Sequence, residues 1–118
     1  TLDIFAHAPS RLVHPLPKGT LRIRGSGAFG PNAYANPALQ TDGACFAIRW
    51  IAADGTRALA WEHRLAPATI PEDRSPAGFD LAVPATATDI EFTISPGDST
   101  TCDWTYWHDL RFDVHYHP

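Results

Sequence analysis

Nowhere in this 118-residue chain does an apolar run reach the roughly 18 residues a helix needs to cross a bilayer, so no transmembrane segment is expected. Lysine is almost missing. Lys18 stands against eight arginines, the nine cations do not cluster, and the formal net charge is -4. A chain without a basic patch lacks the footprint that a phosphate backbone requires, which argues against a nucleic-acid partner. The Arg bias, with abundant Ala and Pro, reads as GC-rich coding and says little about chemistry.

Cysteine is limited to Cys45 and Cys102, whose spacing matches neither a CxxC redox pair nor a zinc knuckle. That leaves a long-range disulfide or two unrelated buried thiols. A disulfide would close a long loop, stabilising the fold by about 2–4 kcal/mol in the entropy model, and would imply an oxidising compartment. Also absent is any helical-length stretch free of breakers, because eleven prolines and eight glycines are spread along the chain. Little or no helix is expected. The chain begins at Thr1 without Met or a signal-peptide pattern, which reads as a processed chain or an excised piece.

What is present describes one globular domain spanning 1–118, with 44% hydrophobic and 19% charged residues. Alternation of period two recurs throughout. Leu2 and Ile4 alternate with Asp3 and Phe5; Leu12, His14 and Leu16 alternate with Arg11 and Val13, and Pro15 and Pro17 restrict that strand to an edge. Leu21 to Arg24 is a short strand that enters Gly25-Ser26-Gly27-Ala28-Phe29-Gly30. This matches GxGxxG formally, but Pro31, Asn32, Asn36 and Pro37 follow where a dinucleotide site needs a helix to begin. The glycines instead predict a bulge or bend where the chain leaves its sheet. The loop to Gly43 offers Tyr34, with Asn32, Asn36 and Asp42, either to a ligand or to turns.

Cys45 to Ile51 is the clearest strand, with Phe46, Ile48 and Trp50 on one face. Ala52-Ala53-Asp54-Gly55 carries hairpin chemistry, and Arg57 to Leu65 returns with Leu59, Trp61, His63 and Leu65 sharing a face, so that Trp50 and Trp61 meet across the hairpin. Pro67 to Gly78 is a connection with at most one helical turn. Phe79, Leu81 and Val83, then Ile90, Phe92 and Ile94, mark two further strands. Seven or eight short strands at even spacing predict an all-β protein, an antiparallel β-sandwich of jelly-roll-like type.

The last stretch, Asp103-Trp104-Thr105-Tyr106-Trp107-His108-Asp109-Leu110-Arg111-Phe112, reads as an aromatic loop feeding a final strand. Leu110, Phe112 and Val114 fall on one face and Asp109, Arg111 and Asp113 on the other. Aromatics beside carboxylates suit a sugar, whose C–H faces pack on a ring while its hydroxyls donate to carboxylates. Aromatics beside strands also commonly seal a core.

From Gly43 to Tyr116 the chain resembles the non-catalytic carbohydrate-binding modules of the jelly-roll, galactose-binding-like type, particularly the NPCBM-like group. The likeness rests on Gly43 to Trp50 followed by Asp54-Gly55, on Phe79 to Ile94, and on Asp103, Trp107, Asp109 and Leu110 at the close. It implies that Trp107 is structural and that Trp104 and Tyr106 face the ligand. It also implies an accessory module of an extracytoplasmic bacterial protein, periplasmic or secreted, with no cofactor beyond a possible structural calcium.

The expected function is therefore glycan binding without catalysis. Trp104 and Tyr106 would stack on the sugar, and Asp103, Asp109, His108 and Arg111 would bond hydroxyls, with Tyr34 a further candidate. Asp103 and Asp109 are also the pair a glycosidase would need, but no pocket-forming sequence or nucleophile motif accompanies them. For a metal, His115 and His117 lack an evident third ligand, and Asp42, Asp98, Asp103 and Asp113 form no local calcium loop. The alternative is a structural subunit of an extracytoplasmic or membrane-associated assembly, using the same aromatics as contact points.

Overall fold

Alternating apolar residues need two faces to bury, and the chain meets that need with two packed sheets. In a computed structural model that describes residues 2–99 and 104–115, eight strands form. They are β1 (Leu2–Phe5), β2 (Ser10–Pro15), β3 (Thr20–Phe29), β4 (Ala44–Ala52), β5 (Arg57–Leu65), β6 (Ala77–Ala82), β7 (Ala87–Pro96) and β8 (Thr105–Val114). No α-helix occurs among the described residues; Pro31–Ala33 and Pro71–Arg74 each make one 3-10 turn. No helix among those residues is long and apolar enough to cross a membrane.

One sheet has the order β1-β8-β3-β6 and the other β2-β7-β4-β5, all antiparallel. Pairing is nested: β4 with β5, β3 with β6, β2 with β7 and β1 with β8. A long antiparallel hairpin rolled up in this way is a jelly roll. Its innermost turn is the expected one, where Gly55 takes φ 86° and the Asp54 carboxylate accepts from the Thr56 N–H.

Inward residues of both sheets interdigitate around Trp107, which is 1% exposed. Its ring centroid lies 5.0 Å from Phe92, 5.4 Å from Phe46 and 6.1 Å from Phe79, with edge-on geometry in each pair. Ile23, Ile48, Ile90, Ile94, Leu65 and Leu110 fill the space around these rings.

Three expectations about strand phase change. The glycine stretch does not leave the sheet: β3 runs through it to Phe29, and the irregularity falls between Arg24 and Ser26, opposite β8. Gly25 and Gly27 allow close packing, since a Cβ would meet Leu110 Cδ2 at 2.9 Å and Phe46 Cδ2 at 2.5 Å, respectively. In the β4–β5 hairpin a register shift pairs Ile48 with Trp61 and Arg49 with Leu59. Trp61 and Trp50 are therefore not opposite each other; Trp50 faces Ala58, and Leu59 turns outward at 57% exposed. The aromatic loop is mostly strand, because β8 begins at Thr105 and carries Tyr106, Trp107 and His108 in ladder positions.

Cys45 lies on β4 with a free thiol, and burial pushes its pKa up. Cys102 lies outside the described residues.

Candidate functional site

Because side chains alternate along each strand, the residues between the core positions of β1, β8, β3 and β6 share one outward face. Register sets them in rows: Phe5, Tyr106 and Ala28; then His108, Ser26 and Gly78; then Arg111, Arg24 and Asp80. From Ala28 to Arg24 is four residues of β3, a span of about 13 Å at ~3.3 Å per residue. The face is thus aromatic at one end and charged at the other.

At the aromatic end, Phe5 and Tyr106 stack with centroids 5.2 Å apart and an interplanar angle of 28°. Phe5 is 77% exposed and Trp104 is 40% exposed. With His7, Gly30, Pro31 and Asn32 these three rings line a hollow of about 200 Å³. The Gly30 N–H donates to the Trp104 carbonyl at 2.8 Å, and the Thr105 hydroxyl bonds to the Ala6 carbonyl, so backbone contacts fix the approach of Trp104 to the strand.

The middle row is set by a bulge. Asp109 adopts φ 55°, which lets Trp107 and Leu110 both point inward although three positions apart. Asp is among the few non-glycine residues that tolerate this conformation. Asp3 holds the bulge: its Oδ1 accepts the Asp109 N–H at 2.8 Å and lies 3.0 Å from His108 Nδ1. The Asp109 N–H keeps the Asp3 carboxyl below its ordinary pKa, a trend opposed by desolvation and assisted by His108.

At the charged end, Arg111 contacts Asp109 at 3.1 Å, Arg24 contacts Asp113 at 2.9 Å and Asp80 at 3.7 Å, and Arg22 contacts Asp80 at 2.7 Å. All of these side chains are between 40% and 54% exposed. Between them lies a groove of about 320 Å³, bordered by Arg24, Arg111, Asp109 and Pro76 and floored by Gly25, Ser26 and Gly78.

Of the residues expected from sequence, Trp104, Tyr106, His108, Asp109 and Arg111 come together on this face or its margin. Tyr34 does not join them: its ring sits under the Arg74 guanidinium, 5.0 Å from centroid to Cζ, and packs on the core. Asp103 lies outside the described residues, as does His117. Among the described residues no three His, Cys, Asp or Glu side chains are grouped to hold a metal. Asp113 is engaged by Arg24, and Asp42 accepts the Ser99 N–H at 2.9 Å.

Sequence reasoning missed Asp3, Phe5, Arg24, Ser26 and Gly78. Phe5 carried a usable signal, an aromatic out of phase with Leu2 and Ile4. The others needed knowledge of which strands are neighbours. No protein-family model matches the chain, and no match is found among curated proteins.

Proposed function

We propose that the chain is a non-catalytic carbohydrate-binding module that reads a glycan on the outer face of the β1-β8-β3-β6 sheet. The observation that carries this reading is the hollow lined by Phe5, Tyr106 and Trp104, of which Phe5 and Trp104 are exposed, directly beside a row of hydrogen-bonding side chains. Exposed aromatic rings cost solvation unless something covers them, and a pyranose matches both their faces and the polar groups alongside. The galactose-binding-like resemblance agrees with the jelly-roll topology, and an extracytoplasmic setting belongs to the same proposal.

Among the described residues, the state of this face's carboxylates favours binding over hydrolysis. Asp109 is paired with Arg111, and Asp3 is held ionised by the Asp109 N–H, the opposite of what a general acid needs.

The test is retention on a panel of immobilised glycans, with thermal melting in parallel. Trp104→Ala and Tyr106→Ala should lose retention while melting within a few degrees of the parent. A second reading is favoured by one observation, Phe5 at 77% exposed on an edge strand, which also suits docking to a partner protein in a larger assembly. That reading requires co-purification with partner chains, lost on Phe5→Ser, and no retention on any glycan.

A further inference from the structure

We propose that the groove between Arg24 and Arg111 receives the carboxylate of an acidic sugar, so that the glycan is a uronate-bearing oligosaccharide. This rests on the carbohydrate-binding reading and adds its charge class and minimum length.

Arg24 and Arg111 are direct cross-strand partners on the same face. Like charges opposite one another destabilise a sheet; Asp113 and Asp80 offset Arg24, and Asp109 offsets Arg111, while the groove side of both guanidinium groups stays open to an anion. Their carboxylate partners Asp80 and Asp113 do not line the groove; Asp109 does, which leaves two guanidinium groups against one carboxylate at its rim. Planar guanidinium forks match a carboxylate in geometry as well as charge.

The floor supplies a third donor. Ser26 is 8% exposed, lines the groove, and its hydroxyl makes no hydrogen bond among the described residues. Buried hydroxyls are normally satisfied, and a ligand oxygen would satisfy this one. Gly78 keeps the floor low. Unlike Gly25 and Gly27 it meets no packing constraint, since a Cβ there would approach only the Gly25 carbonyl, at 3.9 Å. The missing side chain leaves room above the sheet for a ligand to come close.

The row of Tyr106 stands two rows from that of Arg24 and Arg111, about 13 Å along β3. One sugar ring cannot both stack there and place a carboxylate between the arginines. An oligosaccharide lying along β8 can.

The experiment is calorimetric titration of the whole chain with oligogalacturonate and alginate oligomers, and with the same oligomers after carboxyl reduction. Variants are Arg24→Gln, Arg111→Gln and Gly78→Val, the last chosen because Val suits a strand and fills the groove without touching the core. The native chain should bind a uronate oligomer at least about tenfold more tightly than its reduced form, the order expected for one charge-assisted bond. Each Arg variant should lose that preference, and Gly78→Val should weaken binding while melting like the parent. Equal binding of acidic and reduced oligomers overturns the uronate proposal and leaves the carbohydrate reading standing. So does a native preference that survives in all three variants, or binding of a sulfated galactan in place of the uronates. Failure to bind any glycan, in this titration and on the panel, removes both.

Discussion

The carboxylate of Asp3 accepts the backbone N–H of Asp109 at 2.8 Å, joining residues 106 positions apart. The bond ties edge strand β1 to the bulge that aims Asp109 and Arg111 at the groove. Because the folded chain lowers the Asp3 pKa below 3.8, its stabilisation is present above the unfolded value and is lost as pH falls through the folded one. Asp3→Asn should therefore be less stable than the parent at neutral pH and should show a smaller acid loss below about pH 4. Thermal melts across that range read both effects. Identical acid profiles would mean that the bond contributes nothing.

Trp107 and Trp104 are three residues apart and separate core from surface. Trp107 is 1% exposed among Phe46, Phe79 and Phe92, so Trp107→Ala should destabilise the fold by about 3–5 kcal/mol. Trp104 is 40% exposed, and its replacement by Ala should change stability by no more than about 1 kcal/mol. Urea denaturation of the two variants distinguishes these outcomes. A similar large loss in both would place Trp104 among the residues that hold the fold.

Strand number and kind were legible because the core positions alternate: Phe46, Ile48 and Trp50, or Ile90, Phe92 and Ile94, announce a buried face without tertiary information. Phase failed at register shifts. Nothing in the run from Arg57 to Leu65 marks the shift that sends Leu59 outward while Trp61 stays in, because a bulge is set by the partner strand. The candidate face was half legible for a related reason. Tyr106, His108 and Arg111 share β8 and could be grouped along it, but Arg24 and Ser26 join them only because β3 lies beside β8 in the jelly-roll order. The length of the loop to Gly43 likewise made Tyr34 look available, whereas Arg74 from a distant turn covers it.

Gly27 is required by the opposite sheet. A Cβ there would lie 2.5 Å from Phe46 Cδ2, inside the core, so Gly27→Ala should overpack it by about 1–3 kcal/mol. Combining Gly27→Ala with Phe46→Leu should recover part of that loss, because the clash disappears with the ring. A double-mutant cycle measures the coupling. Simple additivity would show that the strand moves aside instead.

Glu91 organises the outer face of the other sheet. Its side chain is 3% exposed and faces Arg11 at 2.6 Å, Arg57 at 3.7 Å and Arg49 at 3.9 Å. Three strands, β2, β4 and β5, each send one arginine to this single carboxylate on β7. Glu91→Gln preserves shape and removes the charge, which leaves three cations facing one another with a neutral amide between. The loss of the charge-assisted bond from Arg11 should be about 1.5–3 kcal/mol. Repulsion among the remaining arginines is open to screening because their side chains are 33% to 52% exposed. The deficit should therefore shrink between about 0.05 M and about 0.5 M salt, whereas the parent, whose charges are paired, should change less or lose stability. Urea denaturation at the two salt concentrations tests this. A deficit below about 0.5 kcal/mol at low salt would mean that the cluster behaves as ordinary surface ion pairs and that β7 is held by its ladder and core contacts alone.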